Sequence, residues 1–108
     1  MIYLYLALAI IAEVIATSAL KASQGFTQLI PSLLVVTGYM TAFYFLSLVI
    51  KVLPIGITYA IWSGVGIVLI TIASAIIYKQ IPDMAAIIGM TLIVSGVIVI
   101  HIFSSTAH

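Results

Sequence analysis

The chain has 108 residues, 66% of them hydrophobic and 5% charged, with a mean hydropathy of +1.48. Its five charged side chains, Glu13, Lys21, Lys51, Lys79 and Asp83, are too few to coat a water-facing surface, because soluble domains are about a quarter charged; a soluble globular domain is excluded, as is a disordered chain, and the remaining class is one whose solvent is lipid. A net charge of +1 with no arginine and no cysteine offers no basic patch for nucleic acid and no disulfide, iron–sulfur cluster or thiolate metal site.

A helix crossing the hydrocarbon core needs about 20 apolar residues, and the charges punctuate the chain at close to that interval. Span 1 covers 2–20 and ends at Lys21, followed by the polar run Lys21-Ala22-Ser23-Gln24-Gly25. It has no basic residue ahead of its apolar run and carries Glu13 inside, which argues against a cleaved signal peptide. Span 2 covers 31–50 and opens at Pro31, a residue suited to a first helical turn. Lys51 and Pro54 mark the next turn. Span 3 covers 55–78 and closes on Lys79-Gln80-Ile81-Pro82-Asp83. Span 4 covers 84–103 and runs into a polar tail ending at His108. The expected fold is one all-α membrane domain, residues 1–108, with four transmembrane helices per protomer. These spans leave no room for an ATPase domain, and no GxxxxGK[ST] run is present to cradle ATP. Transport work would draw on a membrane gradient or on a partner.

The lysines are nearly balanced across the membrane. Lys21 and Lys79 fall in loops on one side, and Lys51 falls on the other, with both termini. The positive-inside bias depends on that difference, so the count suits a chain that inserts both ways round and pairs antiparallel. Four helices also enclose little interior, which favours a homodimer. On span 4, Ala85, Gly89 and Gly96 share a helical face, and small residues let helices approach closely in lipid. Such a face serves either a partner's helix or packing within the protomer.

Glu13 lies in the middle of span 1. A charge at the bilayer centre costs about 2.5–3.5 kcal/mol on insertion scales, and such residues mark ion and substrate pathways. Ala9, Ala16 and Thr17 lie three or four residues away on the same face, and with Ala12 they leave space near the carboxylate. Desolvation favours the neutral form of an acid, so a glutamate here can trade a proton against a bound cation. Combined with alternating access, that competition is proton-for-cation antiport. Span 3 supplies a second surface. Tyr59, Trp62, Ser63 and Gly66 recur at helical spacing, aromatic rings attract quaternary ammonium groups, and the Tyr59 hydroxyl can hold Glu13. Tyr3 and Tyr39 add aromatic surface, whereas Tyr5 and Tyr78 suit interfacial anchoring. Gly64 and Gly66 permit either a bend in span 3 or close packing. His101 and His108 have no carboxylate nearby in sequence and do not make a metal site. Lys79 and Asp83 read as solvated loop charges. No cofactor is expected.

The chain resembles the small multidrug resistance transporters, specifically the branch that exports quaternary ammonium compounds. The likeness includes Ala12-Glu13-Val14-Ile15 with Thr17 and Lys21, then Gly25-Phe26-Thr27 and Pro31-Ser32. Its strongest block is Pro54-Ile55-Gly56 with Tyr59-Ala60-Ile61-Trp62-Ser63-Gly64-Val65-Gly66, and Ala86-Ile87-Ile88-Gly89-Met90 and Gly96 complete it. The resemblance implies an antiparallel, dual-topology homodimer in the bacterial inner membrane, with hydrophobic organic cations and protons as its ligands. It implies that Glu13 of both protomers forms the shared proton and cation site. It also implies that Tyr59, Trp62, Tyr3 and Tyr39 line that site together with Ala9, Ile10 and Thr17, that Gly64 and Gly66 form a helix kink, and that Gly89 and Gly96 lie in the dimer interface. Ala16 stands where a glycine is frequent, Ala42 where a serine can line the pocket, and Phe43-Tyr44 where a tryptophan occurs; these departures bear on substrate range. The alternatives are a guanidinium exporter of the same family and a non-transporting pore-forming or structural subunit.

Overall fold

The computed structural model describes residues 1–105; the end of the polar tail, with His108, lies outside the described residues. The chain forms α1 (Ile2–Ala22), α2 (Leu29–Val49), α3 (Ile55–Ile77) and α4 (Met84–Phe103), with no strand among the described residues. The helices are 21, 21, 23 and 20 residues long. At about 1.5 Å per residue they are about 30–35 Å long, which matches the hydrocarbon core of a bilayer. All four are long and apolar enough to cross a membrane. The chain divides into two compact units, Met1–Val49 and Ile50–His108.

In the first unit α1 runs through Lys21 to Ala22, and α2 begins two residues ahead of Pro31. Neither residue stops a helix there. A long lysine stem reaches toward water while its backbone stays helical, and the first turn needs no N–H from proline. The turn between the helices is built on Ser23, which is fully buried. Its hydroxyl donates to the Leu20 carbonyl at 2.7 Å and accepts from the Phe26 N–H at 3.2 Å. The Ser23 carbonyl accepts from the N–H groups of Thr27 and Gln28 at 2.8 and 3.1 Å. These bonds hold three successive left-handed residues, Gln24 (φ 48°), Gly25 (φ 73°) and Phe26 (φ 67°). Gly25 takes that conformation without a Cβ clash, whereas its neighbours each carry a cost of about 1–2 kcal/mol. Ser23→Ala is therefore expected to lower stability by about 1–3 kcal/mol. Thermal unfolding in detergent reads this as a lower midpoint; an unchanged midpoint would mean that the backbone bonds alone hold the turn.

The two helices of this unit meet through small residues. A Cβ at Gly38 on α2 would lie 2.7 Å from the Ala16 Cβ and 2.9 Å from the Ala12 carbonyl oxygen on α1. Lipid tails provide no hydrophobic drive for helix association, so close approach at small residues replaces it. Toward one end, Tyr5 of α1 packs on Phe45 of α2 with ring centroids 5.6 Å apart, and Tyr44 meets Phe45 edge-on at 5.5 Å.

In the second unit α3 starts after Pro54 and ends at Tyr78, where Lys79 turns the chain with φ 57° and Gln80 N–H bonds back to the Ser74 carbonyl. Asp83 is exposed, and its side chain caps α4 by accepting from the Ala86 N–H at 2.8 Å. An Asp directly ahead of an apolar run carries that N-cap signal. Gly64 of α3 faces Val97 of α4, where a Cβ would sit 2.6 Å from a valine methyl. Lower down, the Thr71 hydroxyl donates to the Met90 sulfur at 3.3 Å. Beside these contacts the two helices leave an apolar groove of 460 Å³, bordered by Val68, Ile72, Ile87, Thr91 and Val94. α4 contributes no buried residue.

Candidate functional site

α1 places Glu13 and Thr17 one above the other, because residues four apart share a helical face. Both are half-buried. The Thr17 hydroxyl donates to Glu13 Oε1 at 2.7 Å. On α2, the Tyr39 hydroxyl lies 2.7 Å from the same Thr17 oxygen. Gly38, next to Tyr39 in sequence, is where α2 presses against Ala12 and Ala16. The tight crossing thus holds Tyr39 at the level of the acid. The Tyr39 ring is stacked on Phe43, with centroids 6.2 Å apart and planes inclined by 20°.

The structure brings together three of the residues singled out in the sequence, Glu13, Thr17 and Tyr39. Ala9 and Ile10 are buried on α1, and Tyr3 is 47% exposed near its start. Sequence spacing alone does not reveal the link from Tyr39 to Glu13, since 26 positions separate them in the chain. The signal for it is the set of small residues Ala12, Ala16 and Gly38, which permits a close crossing on either side of the acid.

On α3 of the second unit, Tyr59 is 69% exposed, Trp62 and Ser63 are half-buried, and Gly64 and Gly66 are buried. Gly66 sits one turn after Trp62, and a Cβ there would meet the indole Cδ1 at 3.8 Å, an ordinary contact. Gly64 is a close-approach position against Val97. Gly89 and Gly96 of α4 have open space where a Cβ would stand. The groove between α3 and α4 is bordered by no ionisable side chain, so it offers a cation no counter-charge. Among the described residues no group of three or more His, Asp or Glu side chains is placed to hold a metal.

The first unit presents one acid inside an apolar helix pair, held by a hydroxyl, and α3 of the second unit carries the aromatic side chains Tyr59 and Trp62. Aromatic rings attract organic cations through their quadrupoles.

The family model described as Small Multidrug Resistance protein matches residues 1–93. A quaternary ammonium compound-resistance protein of Escherichia coli, QacE, is 53% identical over 107 residues, covering 98% of this chain and 97% of the relative. A multidrug transporter of Pseudomonas aeruginosa is 55% identical over 102 residues, covering 94% and 93% respectively. A putative ethidium bromide resistance protein of Escherichia coli is 52% identical over 94 residues, covering 87% and 82%.

Proposed function

This chain belongs to the Small Multidrug Resistance protein family, and we propose that it is a proton-coupled antiporter that exports hydrophobic and quaternary ammonium cations. At the level the family supports, it is a multi-pass inner-membrane protein of multidrug efflux and not an enzyme. The observation that carries the finer reading is the environment of Glu13. It is the one acidic side chain within the four helices, it is half-buried, and a hydroxyl donates to it. A single carboxylate does not hold a proton and a cation together at full strength, so loading one releases the other.

In this reading Tyr59 and Trp62 supply cation–π surface, with Tyr3, Tyr39, Thr17, Ala9, Ile10 and Ser63 shaping the site. Gly64 and Gly66 give α3 its freedom to bend. The working unit is an antiparallel homodimer inserted in both orientations, with Gly89 and Gly96 of α4 at its interface. Open space at both glycines and the lack of buried residues on α4 support a face left for a second copy. Relatives named for resistance to quaternary ammonium compounds and to ethidium support bulky apolar cations as substrates.

Trp62 is the only tryptophan, so its fluorescence tests the reading directly. Tetraphenylphosphonium is expected to perturb Trp62 emission in the purified protein at high pH, and acidification is expected to reverse the change. Guanidinium is expected to be a weaker ligand; the opposite ranking would assign the chain to guanidinium export. No response to either cation at any pH would favour a non-transporting membrane subunit.

A further inference from the structure

We propose that Tyr39 and Thr17 form a directional hydroxyl relay that ends on the Glu13 carboxylate and carries its gain or loss of a proton from α1 to α2. The proposal rests on the reading of Glu13 as the shared proton and cation carboxylate.

Donor counting sets the direction. An ionised carboxylate only accepts, and a threonine hydroxyl has one proton. At 2.7 Å from Glu13 Oε1, Thr17 directs that proton to the carboxylate. The 2.7 Å bond between Thr17 and Tyr39 must then take its proton from Tyr39. The chain of donation is Tyr39 hydroxyl to Thr17 hydroxyl to Glu13 carboxylate. Thr17 departs here from the habit of other helical hydroxyls in this chain. Ser32, Thr41, Thr58, Thr91 and Ser95 each donate to the carbonyl four residues back. Thr17 has the Glu13 side chain at that same spacing and bonds to it instead.

When Oε1 takes a proton, the donor count reverses. The carboxyl O–H donates to Thr17, the Thr17 proton turns to the Tyr39 oxygen or to the Glu13 carbonyl, and the Tyr39 proton is released to another acceptor. No covalent bond changes beyond the proton gained by Glu13. The event reaches α2 at Tyr39, whose ring is stacked on Phe43. Among titratable groups, Tyr39 is the one that α2 brings to the relay. Tyr44 lies beside Phe45, and through it Tyr5, at a different level of the pair. On α1 itself, Tyr5 and Lys21 each stand eight residues from Glu13, about 12 Å along the helix, and Tyr3 stands further still.

A hydroxyl donating to a carboxylate favours its ionised form. Thr17→Val keeps the shape and removes the donor. The proton concentration that displaces half of bound tetraphenylphosphonium is expected to fall about tenfold in Thr17→Val, the effect of one hydrogen bond to a charged group. Tyr39→Phe leaves Thr17 donating and should lower that concentration less, about two- to threefold. Thr17→Ser keeps the hydroxyl and is expected to bring the profile back toward the original. A second readout follows the Tyr39 ring by NMR. Its resonance should move as Glu13 titrates in the original protein and stay still in Thr17→Val. Equal profiles for Thr17→Val and Thr17→Ser, or an unchanged Thr17→Val profile, would overturn the relay while leaving the antiporter reading in place. Failure of the original protein to show proton displacement of the cation would instead remove the antiporter reading.

Discussion

Glu13→Gln is expected to abolish uphill, proton-driven cation efflux from proteoliposomes while leaving the helices folded. Glutamine has nearly the same shape as glutamic acid but has no proton to release and no charge to offer. Removing one partner of a buried charge pair costs about 3–5 kcal/mol, so cation binding should weaken about 100-fold or more. What remains should lose its dependence on pH, because no other acid stands within the four helices. Glu13→Asp separates charge from shape. It keeps an ionisable group on a shorter stem, drawn back from Thr17, and should retain coupling with weaker binding. Efflux is read as the decay of an ethidium signal under an imposed pH gradient. If Glu13→Gln still moved the cation against its gradient, the carboxylate would not be the coupling group.

The second large effect is expected at Gly38. In an ordinary helix Gly→Ala is stabilising by about 1 kcal/mol. Here the added methyl would stand 2.7 Å from the Ala16 Cβ and 2.9 Å from the Ala12 carbonyl oxygen. Neither is the loose end of a flexible side chain, so α2 must shift, at a cost of about 1–3 kcal/mol for overpacking. Tyr39 is the next residue, and its 2.7 Å bond to Thr17 does not survive a displacement on the scale of a methyl group. Gly38→Ala is thus expected to lower thermal stability and to weaken tetraphenylphosphonium binding about tenfold. Ala16→Gly placed in Gly38→Ala removes one of the two clashes and should recover part of both losses, a coupling that a double-mutant cycle measures. Gly56→Ala is the control, since a Cβ there meets nothing within 4 Å. If Gly38→Ala behaved like Gly56→Ala, the close crossing would not be what places Tyr39.

This crossing also gives Ala16 a physical setting. By resemblance, the family often has glycine at that position. The methyl of Ala16 is instead met by the absent side chain of Gly38. The departure is absorbed by packing between α1 and α2, directly beside the acid.

Much of the architecture was legible because lipid imposes a strict rule on composition. A backbone in hydrocarbon must satisfy its own hydrogen bonds, so four apolar runs separated by charges can only be helices of about 20 residues. That rule also makes Glu13 conspicuous, since a mid-span charge needs a reason. The same rule says little about helix ends and nothing about side-chain partners. Pro31 and Lys21 read as boundaries but sit inside helices. Asp83 read only as a loop charge and proves also to cap α4.

The solvent, the number of spans and the identity of the one acid inside them can be read from residue types alone. Each follows from counting charges against apolar runs, which needs no coordinates. The folded helix pair is needed to see that Thr17 turns to the Glu13 carboxylate rather than to a carbonyl, that Tyr39 stands behind it, and that Gly38 brings α2 close enough for both. Those outcomes depend on separations near 2.7 Å between atoms on different helices or different turns, and a periodic pattern of residue types carries no distance across a helix interface.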